Sequence, residues 1–234
     1  MNPNNSLIHD QGLTLRQAAL VAGFGLLIMV VAAPFAEFFV YAKLVVSGDI
    51  EKTVQNIQAN GGLLVAGIFA FLITFILDVI VAWALYVLLA PVNRSLSLLT
   101  AWFRLVYTAI ALVGLLKLVT VYRMLNTPDY LILFGSDQLH AQVKLLLGSF
   151  RYDWSMGLIL FGIHLVLLAY LVYRSGYIPR ILGILLAIAG VGWVIHELGP
   201  YLFPDADLGF LFITFFGELI FMAWLLIRGW KIPG

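Results

Sequence analysis

Asp78, Arg104, His164 and Glu218 each lie well inside a long apolar stretch of this chain. Placing such a group in hydrocarbon costs about 2.5–3.5 kcal/mol on insertion scales, so each needs a partner or a task. Their types allow a short list of chemistry. A carboxylate and a guanidinium form an ion pair, and an imidazole hydrogen-bonds, ligates a metal or relays a proton. A mid-membrane carboxylate with no base on its own helix must be protonated, paired or bound to a cation, which makes Glu218 the hardest of the four to explain as scaffolding. Polar residues recur one helical turn from three of the four: Thr74 beside Asp78, Tyr107 and Thr108 beside Arg104, and Thr214 beside Glu218. A connected polar interior is the economical arrangement, and the candidate pocket is Asp78, Arg104, Tyr107, His164, Glu218 and Glu37. His164, Glu218 and Asp78 are the candidate ligands for a divalent metal.

The elements that must position these groups follow from composition and hydropathy. With 63% hydrophobic residues, 11% charged residues and a mean hydropathy of +1.04, the chain lies far outside soluble domains, and its solvent is lipid. Its 234 residues supply six spans and leave no room for a separate water-soluble domain. The expected spans are 18–40, 62–90, 96–121, 154–173, 179–199 and 208–227, in one membrane domain covering 1–234. The first apolar run is too long for a secretory leader and reads as a retained helix. A short solvent-side helix with capping residues at both ends is expected between Ser47 and Gly62, and Pro91-Val-Asn-Arg94 is a tight turn. Between the third and fourth spans, Leu139, Val143, Leu146, Leu147 and Phe150 recur at helical spacing around His140, Gln142 and Lys144. That pattern predicts a separate helix lying at the interface. The fold class is therefore all-α, a polytopic membrane bundle of six transmembrane helices and a short interfacial helix.

Six spans put both termini on one side. The short loops there hold Arg16, Arg94, Arg174, Arg180, Arg228 and Lys231 with a single acid, Asp10; the longer opposite segments mix Lys43, Lys52, Arg123, Lys144 and Arg151 with several acids. This bias predicts cytoplasmic termini in a bacterial inner membrane. At about 1.5 Å of rise per residue, His164, Glu218 and Asp78 fall near mid-span, and Arg104 reaches their level from about 12 Å inside its span. Glu37, Lys117, His196 and Glu197 form a shallower outer layer.

Each feature also has a structural reading. Asp78 and Arg104 suit one ion pair locking adjacent antiparallel spans, and His164 suits a cross-helix bond to a carbonyl or hydroxyl. Glu37 follows Pro34 and a full apolar run, so it marks the membrane surface or a kinked binding site. Lys117 and Arg123 are expected to snorkel, and Lys117 lies about 140° around its helix from Arg104. Adjacent residues on a helix point about 100° apart, and Gly199-Pro200 is expected to break the helix, so His196-Glu197 is a weak metal pair. Gly183, Ala187 and Gly190 form a packing stripe, and Trp102, Trp154, Trp193 and Trp230 read as interface belts. The chain has no cysteine, which excludes disulfides and thiolate chemistry, and it has no phosphate loop, HExxH or GxSxG motif.

The segments E37FFVYAKLVVSGD, D78VIVAWALYVLLAPVN, L98LTAWFRLVYTAI, F161GIHLVLLAYLVYRSGYIPRILGILLAIAG and G217ELIFMAWLLIRG resemble the domain-of-unknown-function family numbered 4386. The resemblance covers nearly the whole chain and implies a multi-pass membrane protein, with no activity attached.

Three functions fit these residues. The first is a proton-linked carrier whose intramembrane pocket binds a small molecule or proton, although no inverted repeat is visible. The second is a metal-dependent intramembrane enzyme acting on a lipid or isoprenoid. The third is a non-catalytic sensory or partner-binding module. The partners expected are the bilayer and a small-molecule ligand or proton. Nucleic acid is not expected, the cofactor is unknown, and homo-oligomerisation is left open. No run of Lys or Arg marks a polybasic lipid-binding tail.

Overall fold

The computed structural model describes residues 12–203 and 205–232; Asp10 and the rest of the polar N-terminal stretch before Gly12 lie outside them. Among the described residues there is no strand, and six helical segments are long and apolar enough to cross a membrane: Leu15–Leu44, Gly61–Leu89, Arg94–Asn126, Phe134–Arg174, Arg180–Leu202 and Gly209–Lys231. The first comprises α1 (Leu15–Pro34), a π-helical stretch (Phe35–Tyr41) and α2 (Ala42–Leu44). Then come the short α3 (Ile50–Ala59), α4 (Gly61–Leu89), α5 (Arg94–Asn126), α6 (Pro128–Arg174) and α7 (Arg180–Leu202). The last span is a 3-10 stretch (Gly209–Phe215), α8 (Phe216–Arg228) and a closing 3-10 turn (Gly229–Lys231).

Helix ends are set by local chemistry. Thr14 and Gln17 form a reciprocal capping box on α1, and Asp49 and Asn93 cap α3 and α5 through their side-chain oxygens. The Pro91 turn joins α4 to α5 within a few residues, and Ser97 staples it by donating to the Tyr86 carbonyl at 3.0 Å. Sequence neighbours therefore pack side by side. The ring closes because α1 also contacts α8, so each span touches the one before and after it in a single circuit. Small residues allow that closure: Ala18, Ala19, Ala22 and Gly23 are buried on α1, and a Cβ on Gly229 would lie 3.1 Å from that of Ala19.

The structure departs from the sequence expectations in four places. The run at 124–151 is not a separate interfacial helix. No proline occurs after Pro128 until Pro179, so α6 runs to Arg174 with its only non-helical residue at Gly135. Leu139, Val143, Leu147 and Phe150 do share a face, but it is buried against protein, with α3 and α5 packed on this part of the bundle. Gly199-Pro200 does not end α7 either, because a proline in a last turn removes few hydrogen bonds, and Phe203 N–H still reaches the Gly199 carbonyl at 2.7 Å. Trp154 is not an interface residue. It packs inside against Phe71, Phe75 and Phe150, with ring centroids 5.0–5.7 Å away. Lys117 does not snorkel, since its ammonium pairs with Asp153 on α6.

Gly183 and Gly190 of α7 do form a stripe that packs against α6. A Cβ on Gly190 would sit 2.6 Å from the Gly162 carbonyl oxygen, and one on Gly183 would sit 2.8 Å from that of Ala169. Backbone cannot yield as a side-chain tip can. Gly190→Val should therefore push α7 off α6 and destabilise the bundle by about 1–3 kcal/mol, read as a lowered thermal midpoint in detergent, whereas Gly62→Val, which meets nothing, should leave the midpoint unchanged.

Candidate functional site

Asp78 and Arg104 lie equal numbers of residues on either side of Pro91, so an antiparallel pair of helices rising equally from that turn carries them at one level. His164 and Glu218 reach the same level. Each of the four is ten or eleven residues, about 15–17 Å, from the helix end nearest the termini, which is about half the hydrocarbon thickness. The ring then turns the four residues toward a common interior.

Arg104 is the centre of the cluster. Its Nη2 lies 2.6 Å from Asp78 Oδ1, and its Nε donates to the same oxygen at 2.8 Å. Its Nη1 lies 3.3 Å from His164 Nε2. The other ring nitrogen of His164, Nδ1, is 2.8 Å from the Thr100 carbonyl, which can only accept. His164 Nδ1 therefore carries the proton, leaving Nε2 bare to accept from Arg104. The guanidinium lies 5.3 Å from the centroid of Phe161, which sits one turn before His164 on α6, and Nη2 approaches Met29 Sδ of α1 at 4.0 Å. Asp78 and His164 are fully buried and Arg104 is 1% exposed. One oxygen stands apart: Asp78 Oδ2 is buried with no hydrogen-bond partner.

Glu218 and Tyr107 complete the interior. Glu218 lies in the first turn of α8, where the 3-10 stretch gives way to α-helix, and accepts from Trp193 Nε1 of α7 at 3.0 Å. Its carboxyl is within electrostatic range of both Arg104 and Asp78, and Tyr107 is within range of all three. Tyr107 is buried on α5, its ring centroid 5.0 Å from that of Phe161 and the two planes tilted by 46°. Asp78, Arg104 and His164, from α4, α5 and α6, are thus in direct contact, and Tyr107 of α5 and Glu218 of α8 lie within electrostatic range of Asp78 and Arg104.

Glu37 does not join them. It lies in the π-helical stretch after Pro34, about 17 Å nearer the opposite face, where Arg151 Nη1 donates to it at 2.5 Å and also lies over the Tyr41 ring. His196 and Glu197 also part, His196 meeting the Leu208 carbonyl and Glu197 accepting from Ser155. The arrangement does not fit a metal. The Arg104 cation stands between Asp78 and His164, both imidazole nitrogens are engaged, and among the described residues no group of three His, Asp or Glu could hold an ion. Sequence inspection did not find Trp193 or Thr100 as partners, because both contacts join helices distant in sequence.

Residues 21–229 match the family described as "Domain of unknown function (DUF4386)". A protein of Archaeoglobus fulgidus called "Uncharacterized protein" is 39% identical over 168 residues, 72% of this chain and 85% of that protein. No solved structure matches.

Removing one partner of a buried ion pair leaves an uncompensated charge. Arg104→Met should cost about 3–5 kcal/mol, whereas Asp78→Leu/Arg104→Met should cost much less than the two single changes summed. Unfolding in detergent across that cycle measures the coupling; additive losses would mean the pair is not formed.

Proposed function

The chain belongs to the DUF4386 family, and on that premise we propose that it is a proton-linked carrier of a small solute, with Asp78 as the proton-binding group and Arg104 as the switch. The observation that carries this reading is the open oxygen of Asp78. Arg104 binds only Oδ1, so Oδ2 can take a proton, or the donor group of a solute, without the carboxylate first leaving its helix.

Glu218 supplies the second position of the switch. A proton on Asp78 cancels the charge that holds the guanidinium, and Glu218 is the other carboxylate within its electrostatic range. The groups facing Arg104 are Asp78 from α4, Tyr107 from its own helix, His164 from α6 and Glu218 from α8, while α1 presents Met29. The last span is the least buried of the six and begins as 3-10 helix, so it is the element best able to shift when Arg104 changes partner. We assign the protein to a cytoplasmic membrane, the inner membrane in a bacterial cell, with the termini on the cytoplasmic side. Among the described residues a metal-dependent enzyme has no donor set to support it.

Infrared difference spectra of the protein in bilayers, recorded as pH is stepped, test the reading. A protonated-carboxyl band should appear on acidification, vanish in Asp78→Asn and move its midpoint in Glu218→Gln. A band unaffected by Asp78→Asn would remove Asp78 as the proton site. Ligand-dependent stabilisation without any titrating carboxyl would favour the binding module instead.

A further inference from the structure

The face that carries the termini has a cleft of about 650 Å³ lined by Tyr177, Pro179, Trp224, Arg228, Lys231 and Ile232. Two of its six lining side chains are cationic and none is acidic. The whole face shares that character: its described basic residues are Arg16, Arg94, Arg174, Arg180, Arg228 and Lys231, and among the described residues it has no acidic side chain. Every described carboxylate side chain lies at mid-membrane or toward the opposite face, so among the described residues none of these cations has a side-chain carboxylate to neutralise it.

The cleft cations sit on a fixed support. Gly229 is buried with its Cα against Ala19 of α1, which anchors the 3-10 turn that links Arg228 to Lys231. The Lys231 ammonium lies 4.9 Å from the Trp230 ring, and Trp230 Nε1 donates to the Ile227 carbonyl at 2.7 Å. On the other wall, the Tyr177 hydroxyl donates to the Leu88 carbonyl at 2.5 Å, tying the loop before α7 to the end of α4. Burial pushes the Tyr177 pKa up to about 12, so the phenol stays a donor and adds no negative charge to the cleft. The floor is apolar, with Trp224 and Ile232, and the cleft lies at the ends of α7 and α8. Cations over an apolar floor, at headgroup depth beside an exposed tryptophan, match the chemistry of a phosphodiester carried on acyl chains.

We infer that this cleft binds the phosphate of an anionic lipid headgroup from the leaflet on the side of the termini, with Arg228 and Lys231 as the phosphate-binding residues. The two cations lie three residues apart in one segment, and the facing wall, Tyr177 and Pro179, comes from the loop before α7, a pairing the sequence does not show.

Delipidated protein in neutral detergent, titrated with phosphatidylglycerol, phosphatidylcholine or inorganic phosphate and followed by thermal midpoint, tests the inference. Phosphatidylglycerol should raise the midpoint of the wild type and of R94Q/R174Q, which loses the same charge outside the cleft. R228Q/K231Q should need roughly 30-fold more of that lipid for the same shift. Equal responses from the two double variants would reduce the effect to diffuse attraction and overturn the site. So would equal stabilisation by phosphatidylcholine. A shift reproduced by inorganic phosphate alone would show a free-anion site and reject the lipid. Should the R228Q/K231Q protein fail to fold, R228Q and K231Q singly decide: each must weaken the lipid response part way, and unchanged responses in both reject the cleft.

Discussion

Arg104 is buried part-way along an apolar helix long enough to cross a membrane, and a guanidinium there cannot shed its charge, so the rest of the bundle must be arranged to keep it surrounded. Asp78 supplies the opposite charge, His164 a bare nitrogen, Phe161 an aromatic face and Met29 a soft sulfur. These come from α4, α6 and α1, so satisfying one side chain fixes four helices relative to one another. The imidazole is constrained in turn, since only the Nδ1-protonated form can serve both Thr100 and Arg104.

That demand explains features that look unrelated. The short Pro91 turn sets Asp78 and Arg104 level; glycines on α6 and α7 bring the backbones together behind His164; small residues on α1 let α8 close the ring and bring Glu218 toward the centre. Nearer the opposite face, Arg151, Asp153 and Ser155 of α6 reach Glu37, Lys117 and Glu197 in turn, linking that helix to the first span, α5 and α7. Among the described residues, one fully buried side-chain acceptor of this polar layer has no hydrogen-bond partner, Asp78 Oδ2. An orphaned carboxylate oxygen in hydrocarbon is costly to keep, which is why a proton or ligand donor is assigned to it.

Hydropathy alone made the six spans legible, because nothing except helix satisfies backbone in lipid. The Asp78–Arg104 contact was also legible, since a turn this short leaves the two helices no other arrangement. What stayed hidden depends on contacts between helices far apart in sequence. Trp154 has the composition of a belt residue, and only the approach of Phe71 and Phe75 from α4 packs it against the core. The apolar stripe from Leu139 to Phe150 had the right period but no sign of what would cover it, and α6 supplies it as part of one long helix. Glu37 was legible as a shallower residue after a full apolar run, but not its partner, Arg151, which comes from 114 residues away. Ala18, Ala19, Ala22 and Gly23, spaced three and four apart, were a readable sign that the first span accepts a close neighbour, though not that the neighbour is the last span.

Arg104 is held by a neutral imidazole as well as by a carboxylate. Solid-state NMR of the protein in bilayers, with nitrogen-labelled arginine and histidine and the His164 signal assigned by substitution, measures this directly. The account predicts a proton on Nδ1, a bare Nε2 and magnetisation transfer between Nε2 and the Arg104 guanidinium. A protonated Nε2, or no transfer to Arg104, would contradict it.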